Sequence, residues 1–99
     1  MARDAEREAR IKQDDTADRM AETSETLART AEALAETAER SADVHDAMAA
    51  YRPDAREHAT RDRALAEAER QAAAAFRRGE VPPDDVRQVI RDSRPGPDE

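Results

Sequence analysis

The chain has no cysteine and no tryptophan, and its 99 residues include only two glycines, one phenylalanine and one tyrosine. Without cysteine it forms no disulfide and offers no thiolate as a nucleophile or a metal ligand. Gly79 and Gly96 stand too far apart to form the glycine-rich loop that binds phosphates. The composition therefore excludes disulfide-stabilised folds, cysteine enzymes and phosphate-binding loops.

Large apolar side chains are also scarce. Leucine, isoleucine, valine and phenylalanine together make up 10 residues, whereas alanine alone makes up 23. With 41% charged residues, this composition is typical of disordered chains, because too little apolar surface can be buried to offset the conformational entropy lost on folding. The remaining stabilising free energy has to come from alanine burial, helix hydrogen bonds and subunit association.

Further absences concern location and partners. No apolar run approaches the roughly 20 residues of a membrane-spanning helix, and the charged N-terminus has no signal-peptide core, so we expect a cytoplasmic protein. The net charge of −7 disfavours nucleic acids and anionic membranes as partners, because both repel an acidic surface. The many carboxylates have no predicted pocket that would adapt them to acid or base catalysis. We therefore expect no enzyme, no cofactor and no small-molecule substrate.

The abundant residues favour helices. Alanine, glutamate, arginine and leucine are the strongest helix formers, and no glycine or proline interrupts residues 3–50. Five consecutive heptads fill residues 16–50, and alanine, threonine and leucine or methionine recur at fixed heptad positions. At about 100° per residue these positions form one stripe along a helix, while charged residues fill the other faces. A sustained seven-residue repeat predicts a helix that packs against other helices in a left-handed supercoil.

Prolines and a glycine mark the helix boundaries. Pro53 cannot continue the first helix, but it suits the start of a second helix that ends at Gly79. A pair of prolines followed by two aspartates predicts the start of a short third helix. We predict one all-α domain over residues 1–92, with helices at about 3–50, 53–78 and 83–92, and a disordered tail over residues 93–99.

Opposite charges predict how the first two helices pack. Residues 1–50 carry 7 basic and 13 acidic side chains, a net of −6, whereas residues 51–79 carry 7 basic and 5 acidic side chains, a net of +2. A long helical hairpin, that is an antiparallel coiled coil, brings these charges together and sets large side chains opposite small ones. The competing interpretation is one continuous helix that Pro53 kinks.

The hairpin interpretation assigns an interface to each helix. Leucine or methionine occupies one interface position of the first helix in four of five heptads, and alanine occupies the other position in three of five. We expect the short third helix to pack back on the first helix, beside Ile11, Ala17 and Met20. The predicted interface comprises Ala17, Met20, Ser24, Leu27, Ala31, Leu34, Ala38, Ser41, His45 and Met48 of the first helix, and Leu65, Ala68, Ala72 and Phe76 of the second.

A hairpin of this composition leaves much of its alanine-rich stripe exposed to water. An apolar surface of that extent predicts a partner, because soluble monomers rarely expose large apolar patches. We expect either a homodimer that forms a four-helix bundle or a separate helical protein partner.

The two histidines are the remaining candidates for chemistry. His45 lies in the predicted interface, where it could fix the register of the helices or respond to pH; the alternative is a half-exposed side chain near the turn. Asp54, His58 and Asp62 share one helical face and have ligand types that metals accept. Because a chain with 24 acidic residues produces such triplets by chance, we favour a solvated face and predict no metal site.

The densest apolar group lies near the end of the chain and comprises Phe76, Val81, Val86, Val89 and Ile90. It is either a cap that seals the end of the bundle or a docking motif for another protein. We favour the cap, because Val81 is spaced to pack on Val86 across the start of the third helix.

These patterns indicate an architecture and a mode of association, but no constellation from which a reaction or a ligand can be read. The leading hypothesis is a non-enzymatic helical interaction or structural module, which self-associates or binds a helical partner through its Ala/Leu heptad stripe. The alternative is a conditionally disordered, hydrophilic protectant or regulator that becomes helical on drying or on binding its target. The two hypotheses predict opposite helix contents in dilute buffer.

Overall fold

The computed structural model describes residues 2–93, with side chains from residue 3 onward. Over this range the chain forms no strand and three α-helices, α1 (Ala2–Met48), α2 (Ala55–Arg77) and α3 (Asp84–Asp92). α2 returns antiparallel along α1, and α3 packs on α2. The all-α helical hairpin with a short third helix is therefore confirmed, and the continuous kinked helix is excluded. The predicted tail beyond Ser93 lies outside the described residues.

The end of α2 shows how local chemistry sets a helix boundary. The Gly79 N–H donates to the Phe76 carbonyl and the Glu80 N–H donates to the Ala75 carbonyl, both at 2.9 Å. This pair of bonds is a Schellman motif, which requires a left-handed residue just past the helix. Gly79 has a φ of 71°, which glycine adopts without strain because it has no Cβ. Gly79 thus ends α2, as predicted.

α1 and α2 meet along a seam of alanines. The buried positions of α1 alternate by three and four residues, which keeps them on one side of the helix. Because alanine has a single side-chain carbon, two alanine rows allow the helix backbones to approach closely. No large side chain is fully buried in the described part of the chain, so the core consists of many small contacts. The seam comprises Ala28, Ala31, Ala35, Ala38 and Ala42 of α1, and Ala55, Ala59, Ala66 and Ala73 of α2.

The seam lies one residue away from part of the predicted interface. Leu27 and Leu34 were candidates to face α2, but Ala28 and Ala35 occupy that position and are buried. One residue corresponds to about 100° around a helix, so the two leucines lie on the flank of the hairpin. Alanine takes the seam because it permits a closer approach of the backbones, while leucine on the flank can still bury half of its surface.

α3 packs on α2 and not on α1. Val86 is buried against Ala68, Ala72 and Ala73 of α2, and Phe76 is partly buried beside them. This group is part of the apolar cluster predicted from the sequence, and it shares one core with Ala28 and Ala31 of α1.

The predicted packing of α3 on Ile11, Ala17 and Met20 is wrong within the described chain, because all three side chains are exposed. α2 ends beside Glu25, to which Arg77 is bonded, and the six residues that lead to α3 turn it back along α2. The third helix therefore moves away from the N-terminal part of α1.

α1 continues well past the hairpin. Every side chain over residues 3–23 is exposed, and we call this segment the free arm. Its 21 residues span about 30 Å at 1.5 Å per residue. An isolated helix of this length is only marginally stable in water, since most helices depend on packing of one face. Within the part of the chain that the structure describes, the free arm is thus a helix without a neighbour.

Candidate interaction surface

Three large apolar side chains lie in a line on the exposed side of α1. Met20, Leu27 and Leu34 are seven residues apart, and they are 66%, 44% and 49% exposed. Seven residues bring a helix back to within about 20° of the same face, so the side chains form a continuous line. We call these three residues the apolar stripe. Single exposed leucines are ordinary, whereas an aligned set indicates a contact surface.

The apolar stripe borders a groove between α1 and α3. Leu27 and Leu34 form the α1 wall, Ile90 of α3 and Val81 of the connection before it form the opposite wall, and Phe76 of α2 lies between them. This part of the groove encloses a cavity of 490 Å³. Because its lining is mainly apolar and open to solvent, the cavity offers surface that a partner can bury.

The groove continues along α1 toward the turn of the hairpin. A second cavity of 310 Å³ begins at Leu34 and is lined by Ser41 of α1, Leu65 of α2 and Ile90 of α3. Leu34 and Ile90 line both cavities, so the two form one lengthwise groove. The groove therefore follows α1 for two heptads, from Leu27 to Ser41.

Charge is distributed unevenly around this groove. Arg87 and Arg91 lie along the α3 side. From α2, the buried Glu69 lines both cavities and Asp62 lines the second. On the α1 side stand Thr30 and Thr37, whose hydroxyls donate to carbonyls one turn earlier at 3.0 Å. The rim of the groove is thus basic toward α3 and uncharged toward α1.

The predicted interface residues divide among four locations. Ala31, Ala38, Ala68 and Ala72 are buried within the hairpin or under α3. Ala17 and Met20 lie in the free arm, and Leu27 and Leu34 lie in the groove. The half-buried members at the edge of the seam or groove are Ser24, Ser41, His45, Met48, Leu65 and Phe76.

A ladder of ion pairs joins α1 and α2 on the flank opposite the groove. Arg70 Nη2 lies 2.5 Å from Glu39 Oε1, and Arg77 bonds Glu32. A third ion pair of the same kind, between Arg63 and Asp46, lies nearer the turn. Both sets recur every seven residues, so the antiparallel helices bring each arginine level with one acid. The three rungs are Arg63 with Asp46, Arg70 with Glu39, and Arg77 with Glu32.

The sequence contained a signal for this ladder that net charges alone do not reveal. Acidic residues recur at 25, 32, 39 and 46, and arginines recur at 63, 70 and 77. A search for matched heptad positions of opposite charge, rather than for total charge, finds both the pairing and its register.

The ladder shifts the acid–base equilibria of its members. Hydrogen bonds to carboxylates raise the pKa of Arg63, Arg70 and Arg77, foremost from Asp46, Glu39 and Glu32 respectively. The hydrogen bond from Arg77 lowers the pKa of Glu32 below its ordinary value of 4.5. All these groups are open to solvent, where each ion pair contributes little to stability.

A Glu32→Gln variant is expected to lose part of the acid sensitivity of the fold. Because the folded chain lowers the pKa of Glu32, its contribution to stability is present above the ordinary value of 4.5 and is lost as pH falls through the folded-state value. Thermal melts from pH 7 to pH 3 measure this dependence. Glu36→Gln is the matched control, since Glu36 faces Arg40 of its own helix. Equal pH profiles for the two variants would contradict the assignment.

The two histidines meet near the closed end of the hairpin. His45 Nδ1 lies 2.8 Å from Asp62 Oδ2, and the His45 ring centroid lies 5.2 Å from that of His58. His58 Nε2 lies 3.3 Å from Asp54 Oδ2, so Asp54, His58 and Asp62, which share one helical face, are divided between two separate contacts. Among residues 3–93, no group of three or more histidine, aspartate or glutamate side chains is arranged to hold a metal ion.

None of the helices described between residues 2 and 93 combines the length and the apolarity needed to cross a membrane. The chain matches no protein-family model, no curated protein and no solved structure. Its function is therefore inferred from its own geometry.

Proposed function

We propose that the protein is a non-enzymatic helical interaction module, which associates with a further helix through the heptad position of α1 that Leu27 and Leu34 occupy. The observation that carries this proposal is the groove, in which Leu27 and Leu34 face Val81 and Ile90 across an open cavity of 490 Å³. Removal of apolar surface from water is the main driving force of protein association. The alanines of each heptad pack between α1 and α2, whereas Leu27 and Leu34 remain available to a partner.

The shape of the groove favours a helix as the occupant. Its lining follows α1 from Leu27 to Ser41, a distance of about 20 Å at 1.5 Å per residue. An amphipathic helix presents side chains at intervals of three, four and seven residues, which matches the heptad spacing of the groove. The uncharged rim on α1 allows the backbone of such a helix to lie close.

A Leu34→Asp variant is expected to associate at least about tenfold more weakly than the wild type. Leu34 lines both cavities, so the substitution places a carboxylate where the partner helix would exclude water from it. Light-scattering mass on a sizing column, measured over roughly a hundredfold range of protein concentration, follows association by mass action. The wild type is expected to be dimeric or larger where the variant is monomeric.

Val44→Asp provides the matched control for this measurement. Val44 is an exposed residue of the same helix and lines neither cavity, so its substitution makes the same chemical change outside the groove. The control is expected to associate like the wild type. A wild-type chain that is monomeric at every concentration, or equal dissociation of both variants, would refute the proposed module.

One observation favours a second candidate function, that of a conditionally folded protectant or regulator. The described core consists of alanines and Val86 with no large side chain fully buried, and no described residue packs on the free arm. Little apolar packing is therefore available to stabilise the isolated chain. Far-UV circular dichroism of the same samples separates the candidates. Helix content that falls together with mass on dilution supports the interaction module, whereas a largely unordered monomer at all concentrations supports the conditionally folded protein.

A further inference from the structure

We infer that the helix in the groove is α1 of a second copy of this chain, which lies antiparallel to the first with the twofold axis at Leu27. The inference rests on the proposed function, because it names the partner of the same groove. Closed twofold dimers are the commonest oligomers, and they require a surface patch that is complementary to itself.

The apolar stripe has this self-complementarity. Met20 precedes Leu27 by seven residues and Leu34 follows it by seven. In an antiparallel pair centred on Leu27, the two copies of Leu27 meet each other and each Leu34 meets Met20 of the other copy. Every member of the apolar stripe thereby gains an apolar neighbour in both halves of the dimer.

The free arm has the length needed to cover the groove. In this pairing, residues 13–27 of one copy lie along residues 27–41 of the other, which are the residues that the groove follows. The rest of the free arm continues toward the turn of the other hairpin. The free arm has 21 residues and α2 has 23, so one free arm covers the length of one hairpin. Each free arm thereby acquires the hairpin of the other copy as its neighbour. A parallel pair would instead set the two free arms beside each other, away from the grooves.

The second copy also supplies side chains that fit α3. Ile90 lines both cavities beside Leu34, and the pairing brings Met20 of the second copy level with Leu34. Ala17 and Ala21 of the second copy lie within one turn of that Met20, and their small side chains allow close approach to α3. The third helix then contacts Met20 and Ala17 between copies, although it does not contact them within one chain.

Charge complementarity favours the same orientation. The part of the free arm that lies over the groove, residues 13–23, has four acidic residues and one arginine, a net of −3. The groove presents Arg91 and Arg87 along α3, of which Arg87 also pairs with Asp84 of its own helix. The acidic residues of the groove, Glu69 and Asp62, lie on α2. An antiparallel pair brings this acidic segment to the basic side of the groove, whereas a parallel pair sets it against the same acidic segment of the other copy.

Introduced thiols test the pairing, because the chain has no cysteine of its own. A disulfide requires Cα atoms within about 7 Å, which the twofold axis provides for position 27. Under mild oxidation, most of a Leu27→Cys variant is expected to form a disulfide-linked dimer. Ile11→Cys is the matched control, since Ile11 is exposed and lies about 160° away from Leu27 around α1. The control is expected to remain monomeric on a non-reducing gel.

A second pair of variants identifies the orientation. In the antiparallel dimer, two copies of residue 20 stand about 20 Å apart along the helix, so neither Met20→Cys nor Leu34→Cys crosslinks to itself. A mixture of the two variants is expected to give several-fold more disulfide-linked dimer than either variant alone. Circular dichroism of each variant establishes that it is folded.

The outcomes separate the inference from the proposed function. Self-crosslinking of Met20→Cys alone would indicate a parallel pair and overturn the inference, while association that depends on Leu34 would leave the interaction module standing. If Leu27→Cys crosslinks no more than Ile11→Cys in a chain that still associates through Leu34, the inference is likewise overturned and the interaction module stands. A monomeric chain with no crosslinking above the control would overturn both.

Discussion

Replacement of Ala35 by leucine is expected to lower the free energy of unfolding by about 1–3 kcal/mol, although leucine is the more apolar residue. Ala35 is buried in the seam together with Ala38 and Ala66. Leucine adds three carbons at a point where the two backbones are held close by alanines. The helices have to separate to accept it, and the neighbouring seam contacts are then lost.

Ala33→Leu is the control for this prediction. Ala33 is exposed two residues away on the same helix, and alanine and leucine are both strong helix formers, so helix propensity changes little in either variant. The control is expected to stay within about 0.5 kcal/mol of the wild type in urea or thermal unfolding followed by circular dichroism. Equal stability of the two variants, or a more stable Ala35→Leu, would show that the seam has room for larger side chains.

The helix boundaries were predictable because they depend on local chemistry. Pro53 stops the hydrogen-bond pattern of α1, and Gly79 adopts the left-handed conformation that ends α2. The observed ends, at Met48, Ala55, Arg77 and Asp84, lie within two residues of the predicted ones. The packing of α1 on α2 was likewise predictable from their opposite net charges, and the short connection between them makes that packing antiparallel.

The residues that fill the seam were only half predictable. Each heptad of α1 offers alanine and leucine at adjacent positions, such as Leu34 and Ala35, and both fit an apolar stripe. The choice between them depends on the distance between the helix axes, which is a property of two helices and not of one periodic pattern. The prediction of Ala31 and Ala38 in the interface agrees with their burial, whereas Leu34 lies on the flank.

The position of α3 could not be derived from its amphipathic pattern. That pattern shows that Val86 faces a helix, but both α1 and α2 present alanines on which Val86 could pack. The short connection after Gly79 decides in favour of α2, because it reverses the chain beside the helix that it has just left. The groove is a consequence of this docking, so it too is invisible in the sequence.

A Val86→Asp variant is expected to release α3 from the hairpin and to lower the free energy of unfolding by about 1.5–3 kcal/mol, the contribution of one buried valine side chain. Val86 is 4% exposed and packs on Ala68, Ala72 and Ala73. An aspartate there would lose its hydration without an ion-pair partner, and undocking of the nine-residue helix avoids that cost. The loss is therefore limited to the free energy of docking α3, and the seam between α1 and α2 is expected to persist.

Val89→Asp makes the same chemical change one turn later on α3, where the side chain is 36% exposed, and it is expected to change stability by no more than about 0.5 kcal/mol. Amide hydrogen exchange distinguishes local from global loss, because undocking removes protection from α3 alone. Since α3 forms one wall of the groove, Val86→Asp is also expected to weaken association as Leu34→Asp does. Loss of protection along the α1–α2 seam in Val86→Asp would show instead that α3 is needed to hold the alanine seam closed, and that hairpin and third helix fold as one cooperative unit.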